Sequence, residues 1–207
     1  MRTSLPKIAT LLVALALVNT QAVADTILST ADYNVNEPGD YVIDSSNYLA
    51  TSFTLTQAEQ ITSIGGHFTQ FGDGNNIFAE ITSVTAQGLP TSTVLAQVNF
   101  APNTDGTDSS TAFSVLLGPG TYDIIFGGNT TTAPGSSGLA SGQDITGNAT
   151  FYQSTDSGVT WSTLAANDLR VVVQGTAVSA VPLPSSLPLL LSGLGLLGFS
   201  MKKRTAK

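Results

Sequence analysis

The side chains able to do chemistry in this chain are mostly carboxylates: Glu37, Glu59 and Glu80 with eleven Asp, against one histidine, His67, and no cysteine. Without thiols there is no thiolate nucleophile, thiolate metal site or disulfide. One imidazole cannot build a multi-histidine metal centre. A Ser-His-Asp set would have to use His67, yet no Gly-x-Ser-x-Gly elbow occurs. Two carboxylates can hydrolyse a glycosidic bond when their separation is right, but chain order does not encode that separation, and no catalytic residue is assigned. Oxygen-rich turns offer a different chemistry. Asp73-Gly74-Asn75-Asn76 and the segment Asn103 to Asp108 gather hard oxygen ligands of the kind Ca²⁺ requires, which makes Asp73, Asn75, Asp105 and Asp108 calcium candidates. Neither segment follows the EF-hand pattern, and turns of this composition are common without metal.

One local motif is sharper. Ser154-Thr155-Asp156-Ser157-Gly158-Val159-Thr160-Trp161 follows the Asp-box pattern Ser-x-Asp-x-Gly-x-Thr-Trp. The spacing predicts a hairpin turn in which Asp156 accepts backbone N–H groups, Gly158 takes a positive φ and Trp161 packs beneath. The motif resembles those of sialidase-like propellers and other secreted glycan-processing proteins. There it is structural, so Ser154, Asp156, Gly158, Thr160 and Trp161 are assigned a structural role.

The elements that would position these residues are short alternating runs punctuated by Gly, Pro, Asn and Asp. Strands are expected at 40–44, 49–55, 60–68, 76–84, 93–100, 111–117, 121–127, 148–154, 159–163 and 168–174, with apolar residues on one face. Turn signals such as Gly72-Asp73-Gly74, Gly88-Leu89-Pro90 and Gly118-Pro119-Gly120 separate them. The expected fold is all-β, a single antiparallel β-sandwich of jelly-roll type. The Gly/Ser/Thr-rich run from Gly127 to Gly147 reads as a long surface loop or hairpin insertion.

Both ends read as targeting segments. Arg2 and Lys7 precede an apolar stretch from Ile8 to Val18, and Ala22-Val23-Ala24 suits signal peptidase, so residues 1–24 are expected to be a signal helix removed before Asp25. At the other end come a stalk over 177–186, an apolar segment over 187–201 and a basic tail over 202–207. The 17 residues from Ser185 to Met201 reach the lower limit for a transmembrane helix. Lys202, Lys203, Arg204 and Lys207 hold the C-terminus cytoplasmic.

The order of Val181-Pro182-Leu183-Pro184, apolar segment and terminal Lys202-Lys203-Arg204 resembles the PEP-CTERM sorting signal of Gram-negative bacteria that make extracellular polysaccharide. Leu183 stands where that family usually has Glu. The resemblance implies recognition by an exosortase, transient anchoring in the inner membrane and delivery to the cell surface or matrix. A broader resemblance, to the small β-sandwich ectodomains of PEP-CTERM proteins, is carried by Ile61 to Gly66, Ile77 to Ile81, Gly88 to Pro90, Leu117 to Tyr122 and Ile124 to Gly127. It brings no catalytic assignment.

The segment between the targeting ends, residues 25–176 with the start of the stalk, carries all fourteen carboxylates against Arg170 alone, a formal charge of −13. Such a surface repels phosphate backbones, which removes nucleic acid from the partners. The expectation is therefore an exported, non-enzymatic β-sandwich with a structural or adhesive role at the cell surface or in its polysaccharide matrix, without a required cofactor. The alternative is a carbohydrate-binding or glycan-processing module. Exposed coplanar rings among Tyr33, Tyr41, Tyr48, Phe71, Tyr152 and Trp161 would favour it.

Overall fold

The structure is a computed structural model that describes residues 24–32, 40–69, 76–128, 135–140, 149–165 and 169–178. The expected signal helix, membrane segment and sorting motif lie outside these residues. So do Tyr33, Phe71, Asp73 and Asn75. Among the described residues there is no helix long and apolar enough to cross a membrane.

The described chain is all-β, in twelve strands: β1 (Asp25–Ser29), β2 (Asp40–Ile43), β3 (Tyr48–Leu55), β4 (Glu59–Thr69), β5 (Ile77–Val84), β6 (Pro90–Phe100), β7 (Asp105–Leu117), β8 (Gly120–Gly128), β9 (Ser137–Ala140), β10 (Phe151–Ser154), β11 (Ser162–Thr163) and β12 (Val171–Ala177). They form two antiparallel sheets. The first runs β1-β12-β4-β9-β2 with β7 on the other edge of β4; the second runs β11-β10-β3-β8-β5-β6. Strands β12 and β9 follow one another along the same edge of β4, β12 against Glu59–Gly66 and β9 against Phe68 and Thr69.

Alternation decides what lies between the sheets. Leu49, Phe53 and Leu55 of β3, Ile77, Ala79 and Ile81 of β5, and Ile124 and Phe126 of β8 meet Ile61, Ile64 and Phe68 of β4 and Val171 and Val173 of β12. Phe68 anchors the centre, edge-on to Phe126 at 5.3 Å and to Phe100 at 5.7 Å between ring centroids. Burying one such ring contributes roughly 1.5–3 kcal/mol, so the core rests on a few large side chains from non-adjacent strands. Ile125 breaks the alternation for a reason. It points away from the core into a second cluster with Ala50 and Phe78, so β8 is covered on both faces.

Four segments depart from the sequence expectation. Gly127 to Gly147 reads in sequence as a long surface loop or hairpin insertion, yet β9 within it is buried at every residue and pairs with both β2 and β4. Ser137, Gly138 and Ala140 carry no apolar periodicity, since two flanking backbones satisfy the strand and only Leu139 enters the core. β1 was also not foreseen; it closes the first sheet against β12. The strand expected at 159–163 shrinks to Ser162 and Thr163, because the turn before it extends through Thr160. The turn expected at Asn103 to Asp108 becomes extended chain from Asp105 onward, pairing with β4 at Thr69 and His67.

Candidate functional site

The outer face of the second sheet carries the densest set of functional side chains. Strands β10 and β11 form a hairpin, Tyr152 opposite Thr163 and Gln153 opposite Ser162, joined by residues 155–161. The Ser154 hydroxyl donates to Asp156 Oδ1 at 2.8 Å and accepts from the Gly158 amide at 2.8 Å. Asp156 then accepts from the Thr160 amide at 2.8 Å through Oδ1 and from the Thr160 hydroxyl at 2.6 Å through Oδ2. These donors, the Thr160 hydroxyl first, hold the Asp156 carboxyl at about 2. Ser157 and Gly158 both take left-handed backbone, φ 61° and 82°, which turns the chain back toward β11.

The loop is fastened to the β2–β3 corner. Ser157 donates its amide to the Ser46 carbonyl at 3.0 Å and its hydroxyl to the Ser45 carbonyl at 2.8 Å. That corner has its own carboxylate cap, for Asp44 Oδ1 accepts from the amides of Ser46 and Asn47, each at 2.7 Å. Burial pushes the Asp44 carboxyl up, but the Ser46 and Asn47 donors outweigh it and leave the group below its ordinary value. Two Asp-centred turns thus brace each other.

Beneath them lie the aromatics. Tyr48, Tyr152 and Trp161, each half-buried, pack against Ala50, Phe78 and Ile125. Tyr48 meets Phe78 edge-on at 5.1 Å with planes at 86°, so this pair offers no coplanar platform for a sugar ring. Burial and the Glu80 charge raise the Tyr48 phenol, while Ser157 opposes the rise. Burial alone raises Glu80.

Two strands along the same face is a carboxylate that sequence reasoning did not single out. Asp123 of β8 shares its side with Ile125 and is fully buried, facing Ser52 on β3 and Thr82 on β5 in register. The Ser52 hydroxyl donates to Asp123 Oδ1 at 2.5 Å, while Asp123 Oδ2 and Thr82 Oγ1 have no hydrogen-bond partner. Burial pushes the Asp123 carboxyl up to about 6, against the lowering by Ser52. An isolated Asp flanked by Thr121-Tyr122 and Ile124-Ile125 carries no sequence signal beyond its position in an apolar strand.

The first sheet presents a polar groove of about 250 Å³ on its outer face, lined by Thr26, Ser29, Ser63, Gln174 and the pair Asp108 and Arg170. Arg170 Nε donates to both Asp108 oxygens at 2.9 Å, and Nη2 to Oδ2 at 2.6 Å. Nη1 reaches the Ser29 hydroxyl and the Ala31 carbonyl. Arg170, the only Lys or Arg between residues 8 and 201, therefore ties β7 and β1 to the start of β12. Gly65 forms part of this sheet's floor, where a Cβ would collide with the Ser109 carbonyl of β7.

Of the calcium candidates in the described chain, Asp108 is engaged by Arg170 and Asp105 accepts from the Thr107 hydroxyl at 2.7 Å. Among the described residues no three His, Cys, Asp or Glu side chains gather as a metal-binding group. His67 is buried in β4 opposite Asp108.

Two packed antiparallel sheets make the described chain an all-β domain, and a sorting segment follows it in the sequence. Residues 180–204 match the PEP-CTERM protein-sorting motif. The chain thus carries a PEP-CTERM sorting signal, and the motif supports export, processing at the membrane and sorting by an exosortase. No curated protein matches the chain. Among solved structures, the VP2 subviral particle of infectious bursal disease virus matches at 13% identity with a TM-score of 0.30, over 89% of this chain and 49% of that one. A structure of the Gx strain of the same virus matches at 12% identity with a TM-score of 0.27, over 78% of this chain and 37% of that one. The chain thus spans less than half the length of either.

Proposed function

We propose that this protein is a non-enzymatic, structural or adhesive component of the cell surface or polysaccharide matrix of a Gram-negative bacterium, anchored transiently through its C-terminal helix. The single observation that carries the reading is the sorting motif at 180–204, which belongs to proteins handed to an exosortase. The functional side chains of the ectodomain support it: the Asp156 hairpin and the Arg170 clamp join strands to one another. A jelly-roll connectivity fits the strand orders β2-β9-β4-β7 and β3-β8-β5-β6, with β1, β10, β11 and β12 added to it.

Carbohydrate binding is the second reading, and the groove of the first sheet favours it. Its hydroxyls, the Gln174 amide and the Arg170–Asp108 pair supply the donors and acceptors that a neutral, polyhydroxylated chain requires.

The test is expression of the full chain in an exopolysaccharide-producing host with and without its exosortase, followed by fractionation and mass spectrometry of both termini. With the enzyme, the surface fraction should begin at Asp25 and end between Val181 and Ser186, and a strain lacking the protein should lose matrix cohesion. Surface protein retaining Lys207 would refute the sorting step. Unchanged cohesion would refute the structural role.

A further inference from the structure

The outer face of an antiparallel sheet is ordinarily wet, and a carboxylate on it points into water. Asp123 does not. On the outer face of the second sheet, Asp123 of β8 and Thr82 of β5 stand in register and are both fully buried, with Ser52 of β3 on the other side. The Ser52 hydroxyl donates to Asp123 Oδ1, whereas Asp123 Oδ2 and Thr82 Oγ1 have no partner. A protonated acid tolerates such a place. Its carboxylate would carry charge on an oxygen that nothing solvates.

The tip of the β5–β6 hairpin lies above this site. A Cβ on Gly88 would stand 3.8 Å from the Tyr152 hydroxyl oxygen. Tyr152 belongs to β10, three places from β5 in the order β10-β3-β8-β5, which is about 14 Å at the usual strand spacing. To meet that ring the tip must bend back over the outer face and across β8, where Asp123 sits. Gly88 takes part in the bend with a φ of 78°.

The tip can move as a unit. Its hydrogen bonds are internal, from the Thr85 amide to the Leu89 carbonyl at 2.8 Å, from the Gly88 amide to the Thr85 carbonyl at 2.9 Å, and from the Leu89 amide to the Thr85 hydroxyl at 3.1 Å. Pairing of β5 with β8 ends at Ser83 and Tyr122, and pairing of β5 with β6 shifts register on both sides of Thr82. The ladder is therefore already interrupted at the root of the tip. Lifting the tip leaves Ile77–Ile81 paired with Ala96–Phe100.

Few groups could govern the motion. Burial pushes Asp123 up to about 6 and raises Glu80 as well. Residues 85–89 are uncharged, and Tyr48 of β3 and Tyr152 of β10 are phenols, a class that titrates at about pH 10. Arg170, the only Lys or Arg between residues 8 and 201, lies on the other sheet. No cation is at hand to compensate the carboxylate.

We propose that the β5–β6 tip is a pH-operated cover, closed over Asp123 while the carboxyl holds its proton and lifted when the ionised carboxylate needs water at Oδ2. Opening hydrates Asp123 and Thr82 and frees the Tyr152 ring beside Ala50, Phe78 and Ile125, while both sheets stay paired. The rise from 3.8 to about 6 limits the change in the opening equilibrium to about 100-fold.

The experiment is amide hydrogen exchange by NMR on the full chain in detergent, from pH 4.5 to 7.5, with rates corrected for intrinsic exchange. Protection at the Thr85 and Gly88 amides should fall by up to about 100-fold across this range, while the Thr160 amide in the Asp156 turn and the Ile124 amide of β8 hold theirs. The midpoint should coincide with the titration of the Asp123 carboxyl followed by carbon NMR in the same sample, a comparison that needs no variant. Asp123→Asn should abolish the fall, and Glu80→Gln should retain it. Protection of the tip that ignores pH overturns the proposal, as does a midpoint away from the Asp123 titration or a fall that survives Asp123→Asn. An equal fall at Ile124 also overturns it, because the whole sandwich would then be opening.

Discussion

Replacing Asp123 by Asn should make the protein more stable at neutral pH, the reverse of what removal of a buried, hydrogen-bonded group normally does. Asp123 is fully buried, with one oxygen bonded to Ser52 and the other unpartnered beside the likewise unpartnered Thr82 hydroxyl. Its carboxyl is raised from 3.8 to about 6 by burial. The folded state therefore binds the proton more tightly than the unfolded chain. The contribution of Asp123 to stability is greatest below about pH 3.8, falls as pH rises toward 6, and stays reduced above it. A shift of about 2 units corresponds to roughly 3 kcal/mol at full deprotonation.

The amide of Asn carries no charge to desolvate. It can accept from the Ser52 hydroxyl and donate to Thr82 Oγ1, although its second N–H stays short of a partner. The net gain at pH 8 should be roughly 2 kcal/mol, or a Tm higher by about 4–8 °C. Near pH 3.5 the two proteins should melt alike. Thermal denaturation at half-unit pH intervals measures the difference, and carbon NMR of the Asp123 carboxyl measures the pKa directly. An Asn variant no more stable at pH 8, or a difference independent of pH, would refute the argument from burial.

At the hairpin, Trp161→Ala should cost roughly 2 kcal/mol, less than for a fully buried indole, and leave polysaccharide retention unchanged in the folded protein. Lost retention with an unchanged Tm would make the ring a binding surface. Asp156 is held at about 2, below its unfolded value, so its contribution is present above about pH 4 and lost as pH falls toward 2; Asp156→Asn should flatten that acid limb of the stability curve. Arg170→Gln should lower stability by roughly 1 kcal/mol, and added NaCl should narrow the gap from wild type. A gap insensitive to salt would mean that the Ser29 and Ala31 contacts, rather than the ion pair, make the clamp.

The parts of this protein legible in its sequence are those whose interactions run between near neighbours. The sorting motif is a contiguous string at 180–204. The turn around Asp156 closes its hydrogen bonds within Ser154 to Thr160, so residue spacing alone specifies its donors and acceptors. Strands β3, β4, β5 and β8 show alternation or apolar runs because each packs at least one face against the core.

What only the tertiary structure decided is where distant backbones meet. β9 has almost no apolar signal, and it is a strand because Asp40–Ile43 and Phe68–Thr69 supply its hydrogen bonds from remote parts of the chain. Arg170 finds Asp108 62 residues away, and Asp123 becomes a buried carboxyl with a raised pKa because strands β3 and β5 close over it on either side. β6 likewise reads as one more alternating strand. That it lies at the open edge of its sheet depends on pairing order, and pairing joins residues through backbone groups that every sequence shares.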